Sequence, residues 1–288
     1  MKQNHRTTIH ALRLSFYACV ICTICCILYL SLSDANAGIL PFEVDRPLYV
    51  GSRPLGMGNA FVSIADNAES GFWNPAGLIQ QQGVRIFFAD KIRDRKDNVF
   101  DSKCIAYCYR SNAFFWGNKI ALRLDDGETP DFNYYSYARK LNSHIAVGLS
   151  LKFKRKHPSD YYQFFGYDPA YDLGLLAKPA DNSSIGLLIQ KLSGQKQWID
   201  VITIGLSHRI YENLMTSVDL AFLPDKRSLE PYIGWEYMLE RWMAVRAGFS
   251  DKYPTVGIGF IVGRLVVDTA LIRRDDEMSA FLSAQFEL

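Results

Sequence analysis

The stretch HIAVGLSLKFK (residues 144–154) alternates between two kinds of side chain. Small or charged residues occupy every second position from Ala146 to Lys154. The positions between them are Ile145, Val147, Leu149, Leu151 and Phe153. Side chains two residues apart share one face of a β-strand. The stretch therefore predicts a strand with one face toward hydrocarbon and one face toward a polar or tightly packed space.

The same period of two continues from residue 83 to residue 288, and turn residues interrupt it every ten to fifteen residues. This pattern is typical of an all-β chain and not of alternating strands and helices. Fourteen strands are predicted, at residues 84–92, 101–110, 113–125, 131–140, 144–154, 170–178, 184–192, 198–210, 214–222, 229–239, 242–249, 255–262, 265–273 and 279–288. Short intervals between several of them predict hairpin pairing of neighbouring strands.

An even number of strands of about 9 to 11 residues is what a transmembrane barrel needs, because closure pairs every backbone group inside lipid. We therefore predict an up-and-down antiparallel β-barrel of fourteen strands, with about twelve as the alternative count. A soluble β-sandwich or propeller also alternates. Isolated charges among small residues on the polar face favour a barrel lumen. The predicted lumen-facing residues are Arg123, Asp172, Asp219, Glu236, Arg246 and Asp268.

Aromatic residues near the predicted strand ends fit girdles at the two membrane interfaces. Each of them could equally be a core residue. The set comprises Phe114, Phe115, Trp116, Tyr134, Tyr135, Trp198, Tyr237 and Trp242.

The N-terminus has the features of a signal peptide. Basic residues precede an almost continuously apolar stretch at residues 14–32, and Ala35-Asn36-Ala37 forms a cleavage motif of small residues. We predict export with cleavage after Ala37, and an uncleaved anchor helix is the alternative. Four of the six cysteines leave with this peptide. The other two, Cys104 and Cys108, would stand about 13 Å apart on one strand face, too far for a disulfide.

Composition and motifs exclude several classes of function. A formal net charge of +2 does not predict a nucleic-acid partner. No histidine pair has metal-ligand spacing, so no metal is predicted. Gly257-Ile258-Gly259 lacks the third glycine of a dinucleotide site, so no cofactor is predicted. No catalytic residue is nominated, and the chain is not predicted to be an enzyme.

The segment GSRPLGMGNAFVSIADNAESGFWNPAGLIQ (residues 51–80) lacks strand-length alternation. Asn74 followed by Pro75 predicts a capped helix start, and Asp66 with Asn67 offers a second cap. Gly56 and Gly58 permit close backbone approach or positive φ. We predict a plug at residues 38–82 inside a barrel at residues 83–288, with an ordered periplasmic tail as the alternative.

Three motifs in this segment carry a family resemblance: RPLGMGNAFV (residues 53–62), ADN (65–67) and WNPAGL (73–78). They resemble the N-terminal signature shared by FadL-type outer-membrane transporters and the PorV/PorQ proteins. Asn59 stands where glycine is commoner in the family, which bears on the local backbone conformation. In the barrel, YDLGLL (171–176) and VRAGF (245–249) are similar to the PorV/PorQ branch.

The resemblance implies a fourteen-stranded outer-membrane barrel with an N-terminal plug, and it leaves two functions open. FadL-type members pass small hydrophobic molecules, whereas PorV-type members serve protein secretion as structural partners. The implied partners are outer-membrane lipid and either a hydrophobic small molecule or a secretion-system protein. A gate would place Phe61, Phe72 and Trp73 toward a cavity, and a sealed plug would bury them. The predicted plug or gate residues are Gly56, Gly58, Asp66, Phe72, Trp73, Asn74 and Pro75.

Overall fold

The structure is a computed structural model of the 288-residue chain, and part of the chain is described. The described residues are 50–92, 102–119, 131–155, 167–192, 199–274 and 277–288. Four expectations lie outside them: the signal peptide at residues 1–37, the start of the plug at residues 38–49, Arg123 and Trp198.

Fourteen strands form one closed antiparallel barrel, in which each strand pairs with its neighbours in sequence and β1 pairs with β14. The strands are β1 Gly83–Ile92, β2 Ser102–Tyr109, β3 Asn112–Lys119, β4 Asp131–Lys140, β5 Ile145–Arg155, β6 Tyr167–Ala180, β7 Ser183–Leu192, β8 Val201–Tyr211, β9 Leu214–Leu223, β10 Ser228–Glu240, β11 Met243–Ser250, β12 Tyr253–Val262, β13 Leu265–Arg274 and β14 Glu277–Glu287. The predicted up-and-down barrel of fourteen strands is confirmed.

The period of two in the sequence separates the two surfaces of the wall. On β5, Leu149 is exposed on the outside, whereas Ser150 is fully buried on the inside. On β14, Leu282 is exposed and Ser283 is buried. Observed strand ends lie within three residues of the predicted ones, and the predicted end of the third strand at residue 125 lies outside the described residues.

The connections between strands divide between two rims of the barrel. The short-turn rim consists of the connections from β2 to β3, β4 to β5, β6 to β7, β8 to β9, β10 to β11 and β12 to β13, each two to four residues long. At the opposite rim, the described residues include two complete connections, of four residues between β9 and β10 and of two residues between β11 and β12. All six turns of the short-turn rim are therefore tight.

Two short helices and a 3₁₀ helix precede β1: α1 Ser52–Gly56, α2 Ser70–Trp73 and the 3₁₀ helix Pro75–Gln80. Residues 50–82, here called the plug, are almost entirely buried and lie inside the wall. Helix α1 contacts β11 to β14, and the 3₁₀ helix contacts β2 to β6. No helix among the described residues is long and apolar enough to cross a membrane.

Candidate functional site at the plug and barrel wall

Glycines on the inner wall bring the plug backbone directly against the strands. A Cβ atom built on Gly248 of β11 would lie 2.4 Å from the Gly58 nitrogen, and one on Gly186 would lie 2.4 Å from the Val62 oxygen. Equivalent contacts to plug atoms occur at Gly117, Gly148, Gly174, Gly205, Gly234 and Gly257. Because nonbonded heavy atoms cannot approach so closely, only glycine fits where the wall meets the plug.

Two plug glycines, Gly56 and Gly58, lie against the wall at these contacts. A Cβ on Gly56 would lie 3.0 Å from the Gly257 Cα. Gly58 has a φ of +61°, and a Cβ there would lie 2.5 Å from the Ile233 oxygen. Asn59, at the family's glycine position, has a φ of 64°, which asparagine tolerates better than most residues. Both properties expected of Gly56 and Gly58, close approach and positive φ, are present.

Asn74 caps the 3₁₀ helix, as its position before Pro75 predicts. Its Oδ1 accepts a hydrogen bond from the Ala76 backbone N–H at 3.1 Å. Its Nδ2 donates to the Val62 oxygen at 2.9 Å and to the Leu175 oxygen of β6 at 3.2 Å. Asn74 thus joins two parts of the plug to the wall.

Asp219 of β9 anchors the plug from the wall. Its Oδ2 accepts hydrogen bonds from the Phe61 and Val62 backbone N–H groups at 2.7 and 2.8 Å. The side chain is fully buried, and Oδ1 faces Gly205 with no hydrogen-bond partner. The sequence places Asp219 in the lumen but does not reveal that its partners are backbone groups of the plug.

Five charged side chains form a continuous row, here called the ionic chain. Arg53 of α1 donates to Asp66 at 2.5 Å through Nη1 and to both carboxylate oxygens of Glu236 at 2.8 and 2.9 Å. Arg246 of β11 donates to Glu236 at 2.6 Å and to Asp268 at 2.7 Å. The order is Asp66, Arg53, Glu236, Arg246, Asp268, so two plug residues and three wall residues alternate in sign.

The second cap predicted at Asp66 is wrong. Helix α2 begins after Glu69, which makes no side-chain cap. The Asp66 carboxylate instead binds the Arg53 guanidinium, and the Asn67 side chain accepts a hydrogen bond only from the Ser70 hydroxyl and caps no backbone N–H. Arg53 was not nominated from the sequence, although it opens the RPLGMG motif.

Asp172 belongs to a separate ion pair on the other side of the barrel. Its carboxylate lies 2.8 Å from Lys152 Nζ on the neighbouring strand β5, and both side chains are buried. The Lys152 ammonium also lies over the Tyr134 ring, 5.8 Å from its centroid. The structure therefore brings together Glu236, Arg246 and Asp268, and keeps Asp172 and Asp219 apart from them.

An interlocking aromatic contact joins the plug to the wall beside this pair. The Phe72 ring lies edge-on to Phe115 at 5.0 Å and to Tyr134 at 4.9 Å between centroids. A Cβ on plug residue Gly71 would lie 2.4 Å from the Phe115 ring, and one on wall residue Gly117 would lie 2.5 Å from Phe72 Cζ. Each ring fills the space left by a glycine on the facing element.

This contact is part of a longer apolar strip between the plug and strands β1 to β4, here called the apolar seam. Its wall residues are Phe87, Ala89, Cys104, Cys108, Ala113, Phe115, Phe132, Tyr134 and Ala138. The strip spans Phe132 to Ala138 on β4, about 20 Å at about 3.3 Å per residue. Cys104 and Cys108 are free, buried thiols. The seam is thus apolar over much of the height of the wall.

For Phe115 and Tyr134, the structure supports the core alternative and not the interfacial girdle. Both side chains are buried inside the barrel, whereas their neighbours Phe114 and Tyr135 lie on the other face of the strands. Adjacent strand residues face opposite sides, so Phe114–Phe115 cannot share one girdle. Tyr237 and Trp242 are exposed outside.

Phe61, Phe72 and Trp73 are all buried, as expected of a sealed plug. Phe61 and Trp73 pack edge-on at 6.0 Å, and the Trp73 indole N–H donates to the Val50 oxygen at 3.0 Å. All three side chains nevertheless belong to the same apolar cluster as the seam. The interface is therefore closed, and its contacts on the side of β1 to β4 are predominantly apolar, with Ser102 and Ser136 as buried polar residues in the same part of the wall.

Glu69 is a carboxylic acid enclosed by the plug. Burial raises the pKa of Glu69 to about 8, and the negative charge of Asp268 adds to this effect. A hydrogen bond from Asn67 and the charges of Arg53 and Arg246 oppose it. The group therefore binds its proton near neutral pH, where an exposed glutamate would be ionised.

We predict that Glu69→Gln removes a pH dependence of stability. Between pH 4.5 and about 8 the folded state holds a proton that the unfolded chain has released. Stability therefore falls as pH rises through this window and levels off above it. The variant should match the wild type in melting temperature at acidic pH and exceed it at pH above 8. A difference between the two proteins that is constant across pH would contradict the assignment.

Among the described residues, no cluster of His, Cys, Asp or Glu is arranged to hold a metal ion. The site consists of packing contacts, one ionic chain and an apolar seam. This arrangement holds the plug against the wall.

No protein-family model matches the chain, and no curated protein sequence matches it. Solved structures do match. The Pseudomonas putida toluene transporter TodX superposes with a TM-score of 0.56 at 13% identity, covering 82% of this chain and 97% of TodX. A TodX monoaromatic hydrocarbon channel deltaS2 mutant gives 0.52 at 12% identity, covering 83% and 98%. The fold is FadL-like. These matches do not support the PorV/PorQ branch.

Proposed function

We propose that the protein is an exported outer-membrane barrel that passes small apolar molecules along the apolar seam. The plug is its gate, and Gly56, Gly58, Asp66, Phe72, Trp73, Asn74 and Pro75 are its gate residues. The signal peptide at residues 1–37 and the plug boundaries at residues 38 and 82 are parts of the same proposal. The enzyme alternative has no support in the site geometry.

The outer surface supports a membrane location. Exposed apolar side chains such as Leu149, Ile204, Val256 and Leu282 recur on strands around the barrel. A soluble protein rarely exposes so much contiguous apolar surface. In outer-membrane barrels, short turns face the periplasm and long connections face the exterior. The short-turn rim is therefore assigned to the periplasm.

The observation that carries the transport proposal is the unequal division of the interface between plug and wall. The side toward β1 to β4 holds the apolar seam, interrupted by the buried polar residues Ser102, Lys119 and Ser136, and the side toward β10 to β13 holds the ionic chain. Removing an ion from water into an apolar contact costs several kcal/mol or more, whereas an apolar molecule gains from the same transfer. The seam thus favours apolar molecules over ions and sugars. The fold shared with a toluene transporter is consistent with this preference.

A non-conducting structural barrel is the second candidate, and complete burial of Phe61, Phe72 and Trp73 favours it. Passage along the seam requires Phe72 to leave the space between Phe115 and Tyr134. During this movement of Phe72, the hydrogen bonds between Arg53 of the plug and Glu236 of the wall would keep the plug attached to the barrel. A secretion partner has no contact surface that the described residues identify.

We predict that Phe72→Ala increases the uptake of a small apolar probe. The change leaves a cavity between Phe115 and Tyr134 in the middle of the seam. N-phenyl-1-naphthylamine, whose fluorescence rises in membranes, serves as the probe in intact cells that produce the protein. We expect uptake to increase severalfold over the wild type, with little swelling of protein-containing liposomes in sugar solutions.

The matched control is Phe114→Ala, which removes the same ring from the lipid-facing side of β3. Uptake in this variant should equal that of the wild type. If neither the wild type nor Phe72→Ala raises probe uptake above cells without the protein, the non-conducting candidate is favoured. Flux of sugars through the wild type would contradict both candidates.

A further inference from the structure

Basic side chains surround the short-turn rim. Six exposed cations occur there, on the connections or strand ends of β2 to β4, β8, and β10 to β13. They are Arg110, Arg139, Lys140, Arg209, Arg241 and Arg264. They are distributed around the barrel and do not form one patch. We call them the basic rim.

The basic rim is not neutralised by the protein. None of the six cations forms an ion pair with a described residue. Arg209 donates only to the Glu212 backbone oxygen, at 3.4 Å, and Arg110 lies over the Tyr109 ring at 5.1 Å. Four acidic residues also occur at this rim: Glu287 binds Arg85 at 3.0 Å, and Asp181, Glu212 and Glu240 are exposed. The six cations outnumber these three exposed acidic residues. The cations are thus available to an external anion.

Exposed aromatic side chains lie close to the basic rim on the outer surface. They are Tyr109, Tyr137, Tyr211, Tyr237 and Trp242. Trp242 stacks on Phe260, with 6.2 Å between ring centroids and 17° between ring planes. Tyrosine and tryptophan concentrate where a membrane protein meets the lipid headgroups. Their position places the basic rim at headgroup depth.

Exposed cations also occur at the opposite rim, where the described residues include Arg227, Lys252 and Arg273. Its two fully described connections mix the signs of charge, with Asp225 beside Lys226 and Arg227, and Asp251 beside Lys252. These cations serve as the reference for those of the basic rim.

We propose that the basic rim binds the phosphate groups of anionic phospholipids in the leaflet that surrounds the short-turn rim. Guanidinium groups match phosphate geometry with paired hydrogen bonds, and cations beside an anionic leaflet are attracted to it. The inference rests on the proposed membrane location and is independent of transport. A nucleic acid or acidic protein fits less well, because the cations form a ring around a cylinder and the whole chain has a net charge of only +2.

The test measures which lipid contacts Trp242. Trp116, Trp198 and Trp235 are replaced by phenylalanine, and Trp73 remains because it is buried in the plug. The protein is placed in phosphatidylcholine vesicles that contain a minority of phosphatidylglycerol, with bromine on one lipid or the other. Bromine quenches tryptophan on contact. We expect about a fivefold preference for phosphatidylglycerol, which decreases as salt is added.

Two triple variants distinguish the effect of the basic rim from the effect of the total charge of the protein. Arg139→Ala with Arg241→Ala and Arg264→Ala should abolish the preference. Arg227→Ala with Lys252→Ala and Arg273→Ala removes the same charge at the opposite rim and should retain it. Heat-dependent migration on gels verifies that each variant is folded. The salt titration of the wild-type protein tests the electrostatic origin of the lipid preference without any substitution.

Three results would overturn the inference. They are equal quenching by both lipids, a preference that survives in the first triple variant, and a loss that is equal in both variants. Failure of the wild-type protein to insert into vesicles would overturn it together with the membrane location. A lipid preference without uptake of the apolar probe would retain the inference and reject transport, so the two proposals fail separately.

Discussion

Gly248→Ala is expected to displace the plug from the wall. The new methyl carbon would lie 2.4 Å from the Gly58 nitrogen, 2.5 Å from the Met57 carbonyl carbon and 2.6 Å from the Ile233 oxygen. All three are backbone atoms, so no side-chain rotation relieves the contact. We expect destabilisation at or above the upper end of the about 1 to 3 kcal/mol typical of overpacking. Protease cleavage within residues 50–82, with the barrel intact, measures the displacement.

Ala247→Val is the matched control, because it enlarges the neighbouring residue on the exposed outer face of the same strand. Its plug should resist protease as the wild type does. Equal resistance in Gly248→Ala would show that the plug does not rest against β11 in the membrane-embedded protein.

Glu236→Ala is expected to destabilise the protein by about 3 to 5 kcal/mol, measured by urea unfolding. Glu236 is the centre of the ionic chain, and its carboxylate accepts hydrogen bonds from both Arg53 and Arg246. Removing it leaves two guanidinium groups close together with only Asp66 and Asp268 as partners. The large loss follows from uncompensated buried charge and not from the strength of a single ion pair.

Asp66 provides the control, because it lies at the outer end of the ionic chain. Its side chain is 34% exposed, so Asp66→Ala should lower the free energy of unfolding by at most about 1 kcal/mol. A combined Arg53→Met, Glu236→Leu, Arg246→Met and Asp268→Asn variant should recover much of the lost stability, because no buried charge is then left without its partner and Asp66 is partly exposed. Equal costs for Glu236→Ala and Asp66→Ala would contradict this account.

The barrel could be predicted from the sequence because strand positions and strand pairing depend on residues close together in the chain. Alternation in segments such as residues 144–154 determines which side chains face outward, and short turn signals determine which strands pair. Strand ends such as those of β4 and β9 could therefore be placed within a residue. The same alternation identified Asp219, Glu236, Arg246 and Asp268 as inward-facing residues.

The partners of these residues could not be predicted. Asp219 binds backbone groups more than 150 positions away, and Glu236 binds Arg53 at a similar separation. Such pairings depend on how the plug is oriented within the lumen, and no period in the sequence records that orientation. Local rules also failed where a tertiary contact formed instead, as at Asp66. For Phe115 and Tyr134, proximity to a strand end leaves an interfacial and a core position open, and the alternation of strand faces decides for the core.

The glycines on the inner wall determine how wide the interior of the barrel would be without the plug. Positions such as Gly148, Gly186 and Gly248 contribute no side chain to the interior, so the strands alone enclose an open bore at that level. Among the described residues, the segment that fills this space is 50–82, which contributes no strand. If the plug is the gate as proposed, permeability and mechanical strength depend on separate parts of one polypeptide, and substitutions in the plug can change the first without altering the strand pairing.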